Sequence, residues 1–288
     1  MTLLFTFPEQ AALGDTLVGN AGYEKGDWTW RRFPDGESYV RVLSEVRGQQ
    51  AHILCSLNHP DEKTLALIFL ARTLEELGCE KVTLIAPYLG YMRQDKRFQE
   101  GEAAASAIFA KQLSRHIDAL VTVDPHLHRT RRLEEIYDCE CTVVSASSLI
   151  AQWISDHTPQ PFIIGPDSES EQWVREVAGR VNAPYVILSK IRHGDRDVEI
   201  SLPDITGYKG RVPVLVDDMI STASTMMKTI RLLRRQGYEK VICLATHAVF
   251  AEKAYEGLIQ EGGVQVVTCN TITHVSNGID VGALLIQS

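Results

Sequence analysis

Along this chain, short apolar runs alternate with stretches whose large apolar residues recur every three or four positions. The runs His52–Leu57, Lys81–Pro87, Ala119–Val123, Pro161–Ile164, Tyr185–Leu188, Val212–Val216, Lys240–Ala245 and Val264–Cys269 are four to seven residues long. That length suits buried strands and is too short for most helices. Between them, Leu67, Leu70, Leu74 and Leu77 mark one face of a helix over Thr64–Leu77, and Met226, Ile230 and Leu233 mark another over Ala223–Arg235. Strands alternating with amphipathic helices predict the α/β class, with parallel sheets covered by helices.

The pattern repeats. RTLEELGCEKVTLIAPY resembles IRLLRRQGYEKVICLATH at a fixed offset: Gly78 matches Gly237, and 237 − 78 = 159. The same offset pairs Arg72 with Arg231, Leu74 with Leu233, Glu80 with Glu239, Lys81 with Lys240, Val82 with Val241 and Ala86 with Ala245. Each copy reads as helix, glycine stop, strand. Two related α/β domains are therefore expected, over 1–147 and 148–288, with the turn-rich HTPQP at 157–161 near their junction.

Composition narrows the function. With 44% hydrophobic and 23% charged residues the chain can build large cores and is not disordered. A net charge of -8 argues against a protein whose main task is gripping nucleic acid. It leaves anionic small molecules open, because a few local cations reverse the field. The N-terminus lacks a basic n-region, no apolar run reaches membrane length, and the six cysteines show no zinc or redox spacing. These features predict a soluble cytoplasmic protein without membrane or nucleic-acid partners.

The segment PVLVDDMISTASTMMKTIRLLRR carries the clearest chemistry. A buried strand leads into Asp217 and Asp218; Ser221, Thr222, Ala223, Ser224 and Thr225 follow, and a helix begins. Ligands of parallel sheets bind at strand carboxyl ends, and a helix N-terminus suits a phosphate. Helix capping alone needs one hydroxyl, not two acids and four hydroxyl residues in nine positions.

VDDMISTAST resembles the ribose-5-phosphate/phosphoribosyl diphosphate (PRPP) loop of type I phosphoribosyltransferases. Further segments, in the family's order, resemble those of ribose-phosphate diphosphokinases, the PRPP synthetases. In RRFPDGESYVRV, the positions Phe33, Asp35 and Glu37 match a loop that reaches a neighbouring subunit's adenine. In APYLGYMRQDKRFQEGE, Arg93, Gln94 and Asp95 match ATP-binding positions and Lys96 adds charge for a triphosphate. In VTVDPHLHR, His126 takes the place of a histidine at the Mg²⁺–ATP site, with His128 as a competitor. In IIGPDSESEQWVREVA, Asp167 falls on an acid linked to metal and ribose phosphate. In LSKIRHGDRDVEIS, Lys190 and Arg192 match a mobile catalytic loop.

The resemblance implies two tandem phosphoribosyltransferase-like domains, each a mostly parallel sheet flanked by helices. It implies transfer of pyrophosphate from Mg²⁺-ATP to ribose 5-phosphate in a homodimer or larger homo-oligomer, with the ATP site at a subunit interface. Two departures stand out: Ser168, Glu169 and Ser170 follow Asp167 where small glycines are usual, and Ala223-Ser224 replaces a glycine pair. An alanine held at positive φ there costs on the order of 1 kcal/mol. The departures keep a catalytically silent regulatory subunit in view, and the 217–225 loop alone also fits a PRPP-dependent phosphoribosyltransferase.

Overall fold

The computed structural model describes residues 2–97, 99–167, 170–192, 198–201 and 203–286. They fall into two units. One runs to Ser145 and is completed by the C-terminal helix; the other spans Ala146–Val281.

The first unit contains β1 (Thr2–Thr6), α1 (Ala11–Ala21), β2 (Glu24–Lys25), β3 (Trp28–Arg32), β4 (Ser38–Val42), β5 (Gln50–Leu54), α2 (Thr64–Glu76), β6 (Lys81–Ala86), α3 (Ala105–Leu113), β7 (Ala119–Val123) and β8 (Glu140–Val144). Six strands form a parallel sheet in the order β2-β1-β5-β6-β7-β8, and β3 pairs antiparallel with β4 as a separate hairpin. The second unit contains α4 (Ser147–His157), β9 (Pro161–Gly165), α5 (Glu171–Arg180), β10 (Tyr185–Ile187), β11 (Ser189–Arg192), β12 (Val198–Ser201), β13 (Val212–Met219), α6 (Ser224–Arg235), β14 (Val241–His247), α7 (Ala254–Gln260), β15 (Val264–Cys269) and β16 (Asn277–Ile279). Its parallel sheet has the order β10-β9-β13-β14-β15-β16, and β11 pairs with β12 as a hairpin. The last helix, α8 (Gly282–Ile286), packs against α1 of the first unit.

The two sheet orders are the same when β1 is matched with β9 and the rest follow. Register supports the match: Thr2 lies opposite Gln50 and Pro161 opposite Val212, with offsets of 161 − 2 = 159 on the first strand and 212 − 50 = 162 on its partner. Gly78 and Gly237 both end the helix before a central strand with left-handed backbone, φ 93° and 89°. A β-carbon is disfavoured in that conformation, so the repeated glycine has a mechanical reason. Each unit also inserts its hairpin at the same place, between the second strand and the third.

The central strands are apolar because helices cover both faces. β7 and β14 are buried along their whole length. One core gathers Phe5, Ile53, Leu67, Leu70 and Leu84; the other gathers Phe162, Leu215, Ile230, Leu233 and Leu258. Burying each such side chain contributes roughly 1.5–3 kcal/mol. The root of the first hairpin is anchored by aromatic packing. Trp28 and Trp30 stand 5.0 and 5.1 Å from the Phe7 ring, and the Trp28 indole donates to the Thr6 carbonyl at 3.1 Å.

All eight expected strands are present. β13 runs on to Met219 rather than stopping at Val216, so Asp217 and Asp218 belong to the strand end. Among the described residues, no helix is long and apolar enough to cross a membrane. All six cysteines are free.

His52, on β5, meets the Tyr23 hydroxyl at 2.8 Å through Nδ1. Burial, and then the Lys81 charge, lower its pKa from 6.5 to about 4. The unfolded chain therefore binds a proton that the folded chain refuses between those values. Stability carried by neutral His52 is present above pH 6.5 and is lost as pH falls towards about 4. Thermal unfolding followed across that window should show a shallower acid loss in His52→Gln than in the parent chain.

Candidate active site

The β13–α6 connection combines a laced backbone with a helix start. Its backbone is laced to the loop after β14: Ile220 N–H donates to His247 O at 3.1 Å, and Ala251 N–H donates to Ser221 O at 3.1 Å. Ala223 precedes the helix with φ 56° and ψ 8°, the left-handed conformation expected where a glycine is usual. No side chain caps the first turn of α6. The hydroxyls of Ser224 and Thr222 instead bond each other at 3.2 Å, and both residues are exposed. Uncapped N–H groups and a positive dipole end remain for a ligand. Ser221 and Thr225 flank them, half-buried.

Behind this loop stand two half-buried acids. Burial, and then the charge of Asp218, hold the Asp217 carboxyl well above the usual carboxylate range; Asp167 adds to the effect. Asp218 N–H donates to Asp217 Oδ1 at 3.0 Å. Two carboxyl groups so placed can hydrogen-bond a sugar diol. Asp167, two residues after β9, accepts from Ser170 N–H at 3.2 Å, and the Ser170 hydroxyl donates back to Asp167 O at 2.8 Å, so the serine that stands in for glycine closes the turn. Ser168 and Glu169 lie outside the described residues. Lys190 and Arg192 belong to β11, opposite Ile200 and Val198 of β12. Their side chains, and His193–Asp197 of the expected basic loop, also lie outside the description.

In the first unit, three segments carry the other expected residues. The hairpin turn is closed by Phe33 N–H to Glu37 O at 2.8 Å, and Glu37 N–H donates to Asp35 Oδ1 at 3.1 Å. The turn is therefore real, and it leaves Phe33, Asp35 and Glu37 exposed at its tip. Arg31 lies 4.3 Å from the Phe33 ring and 4.5 Å from the Tyr39 ring, holding the aromatic pair in place. After β6, Tyr91 takes φ 63°, packs 4.7 Å from Phe109 and bonds Asp61 through its hydroxyl. That bend presents Arg93, Gln94 and Lys96 to solvent. After β7, Asp124 takes φ 35°, and the His126 and His128 rings lie 3.7 Å apart.

Asp95 is held within the protein by an ion pair. Its carboxylate is 7% exposed and accepts from Arg129 Nη1 on both oxygens, at 2.9 Å each. Arg129 was missed by the sequence reading; its signal was the basic run RTRR just after His126.

The first unit's counterpart of the phosphate loop, residues 55–63, is filled from within. Lys63 stands immediately before α2, as Ala223 stands immediately before α6, and is 2% exposed. Its ammonium donates to Ser56 O at 3.0 Å, Asn58 Oδ1 at 2.9 Å and the Glu9 carboxylate. One repeat therefore presents helix N–H groups, and the other holds an internal cation.

Among the described residues, no three His, Cys, Asp or Glu side chains converge as a metal site.

Comparisons with known proteins agree with this layout. The family described as the N-terminal domain of ribose phosphate pyrophosphokinase matches residues 2–116, and the phosphoribosyl transferase domain matches residues 133–284. The ribose-phosphate pyrophosphokinase of Sulfurisphaera tokodaii is 35% identical over 246 residues, 83% of this chain and 82% of its own. That of Methanopyrus kandleri is 34% identical over 276 residues, 95% and 93% of the two chains. The crystal structure of phosphoribosylpyrophosphate synthetase from Mycobacterium smegmatis superposes with a TM-score of 0.85 at 26% identity, covering 99% of this chain and 96% of that one.

Ala223→Gly should relieve the left-handed strain before α6 and stabilise the fold by up to about 1 kcal/mol. Denaturant unfolding measures this; an unchanged or lowered midpoint would show that the alanine is not strained.

Proposed function

The chain belongs to the ribose-phosphate pyrophosphokinase family, and from that premise we propose how it makes PRPP. PRPP synthesis is its activity. The substrates are Mg²⁺-ATP and ribose 5-phosphate. The anomeric hydroxyl oxygen attacks the β-phosphorus of ATP in line; the bond from the β-phosphorus to the α,β-bridging oxygen breaks, AMP leaves, and the hydroxyl proton is released.

The observation that carries this reading is the uncapped, hydroxyl-rich start of α6 behind the paired acids Asp217 and Asp218. It supports the 5-phosphate on residues 221–225 and the ribose hydroxyls on the two acids. Arg93, Gln94 and Lys96 take the nucleotide, the cations facing its phosphates. The exposed tip bearing Phe33, Asp35 and Glu37 reaches the adenine of a neighbouring subunit, where Phe33 stacks. This makes the working form a homodimer or larger assembly. Mg²⁺ bound near His126 and Asp167 would neutralise phosphate charge. Lys190 and Arg192, on the second unit's hairpin, close on the reacting phosphates and stabilise the charge that spreads over their oxygens. A cytoplasmic setting fits the free cysteines.

A phosphoribosyltransferase reading leaves the hairpin tip and the 93–96 loop without employment. The chemistry separates the two. Purified protein given Mg²⁺-ATP and ribose 5-phosphate should form AMP and PRPP in equal amounts; nucleotide binding without PRPP would instead identify a silent subunit. Lys190→Ala should lower kcat by roughly 10²-fold or more while leaving ATP affinity within a few-fold. Loss of affinity with unchanged kcat would remove Lys190 from the catalytic step.

A further inference from the structure

Arg129 stands between two nucleotide loops. Asp95 lies in the same short loop as Arg93 and Lys96, and Arg129 follows His126 by three residues. One guanidinium nitrogen, Nη1, spans both Asp95 oxygens at 2.9 Å. Among the described residues, Nε and Nη2 donate to nothing, and the side chain is 49% exposed. A guanidinium has five donors in a fixed fork, so a clamp on one nitrogen orients the others without using them.

The charge pattern is informative. A carboxylate beside a polyphosphate is unfavourable unless a cation covers it, and Asp95 is almost fully withdrawn from solvent. A buried counter-ion alone would be satisfied by a fork with both terminal nitrogens turned inward. Here a single nitrogen, Nη1, serves both carboxylate oxygens, and half of the Arg129 side chain stays exposed.

We propose that Arg129 is a polyphosphate-binding residue of the nucleotide site, with Asp95 as the positioning residue that aims its free donors at the phosphates. The inference rests on the placement of ATP at the 93–96 and 126 loops. Asp95 then contributes through Arg129 rather than by touching the nucleotide, and the loops after β6 and β7 become one binding element. The ligand class is a nucleoside triphosphate; a monophosphate lacks the groups Arg129 would hold.

Calorimetric titration of the full-length enzyme with Mg²⁺-β,γ-methylene-ATP and with AMP tests this. Arg129→Ala should weaken the triphosphate at least 10-fold and AMP by no more than about 2-fold, because only the phosphate contact is lost. Arg129→Lys should recover part of the loss, as a charge without the fork. Asp95→Asn/Arg129→Ala should bind as weakly as Arg129→Ala alone. Recovery of parental affinity in that double variant would show that Arg129 merely neutralises Asp95, and equal losses for triphosphate and AMP would show a scaffolding role; either result overturns the proposal. Failure of the unaltered enzyme to bind the triphosphate would overturn the placement of ATP, and this proposal with it.

Discussion

Parallel strand pairing governs everything else in this molecule. A parallel neighbour cannot be reached by a tight turn, so most strands return through a covering helix, as α2 carries β5 to β6 and α6 carries β13 to β14. All strands of a sheet then end on the same rim. The segments after β6 and β7 in one unit, and after β9 and β13 in the other, are rim segments. Every proposed substrate contact except the hairpins lies on them. The helix that covers the sheet also delivers an N-terminus to that rim, and α6 does this without a side-chain cap.

Much of the strained backbone lies on this rim. His59, Tyr91, Asp124 and Ala223 all follow central strands and all take positive φ without being glycine. Each such residue costs on the order of 1–3 kcal/mol. The fully buried strands beneath make that tolerable, because they fix both ends of each loop. In return the loops turn sharply enough to face side chains outward while their backbones stay laced to neighbours, as Ala251 is to Ser221. The hairpins use a different device. They rise from equivalent places in the two sheets; the first bears Phe33, Asp35 and Glu37 at its tip, and the second bears Lys190 and Arg192 along β11.

Much of this was legible in the chain. Buried central strands announce themselves because both faces are apolar, and the Gly78–Gly237 offset revealed the duplication because a left-handed helix stop tolerates few substitutes. The phosphate loop was readable because hydroxyls and acids were contiguous. Edge strands such as β8 and the hairpin strands were not predicted, since their exposed faces are polar and their stability comes from packing that sequence does not display. The Trp28–Trp30–Phe7 anchor is one case. The Asp95–Arg129 pair was invisible for another reason: its members are 34 positions apart and meet only because β6 and β7 are neighbours.

The internal cation of the first unit has a thermodynamic consequence. A ligand stabilises only what it binds, by an amount set by its concentration relative to its dissociation constant. Lys63 is a ligand at fixed and very high effective concentration, tethered within the loop it fills. The first unit's loop therefore carries its own saturation, whatever the surrounding metabolite level. On the proposed placement of the 5-phosphate, the second unit's loop gains its last increment of order from a ligand that comes and goes. Duplication has left one chain with two versions of the same loop, one holding its own cation and one, on that placement, responsive to supply.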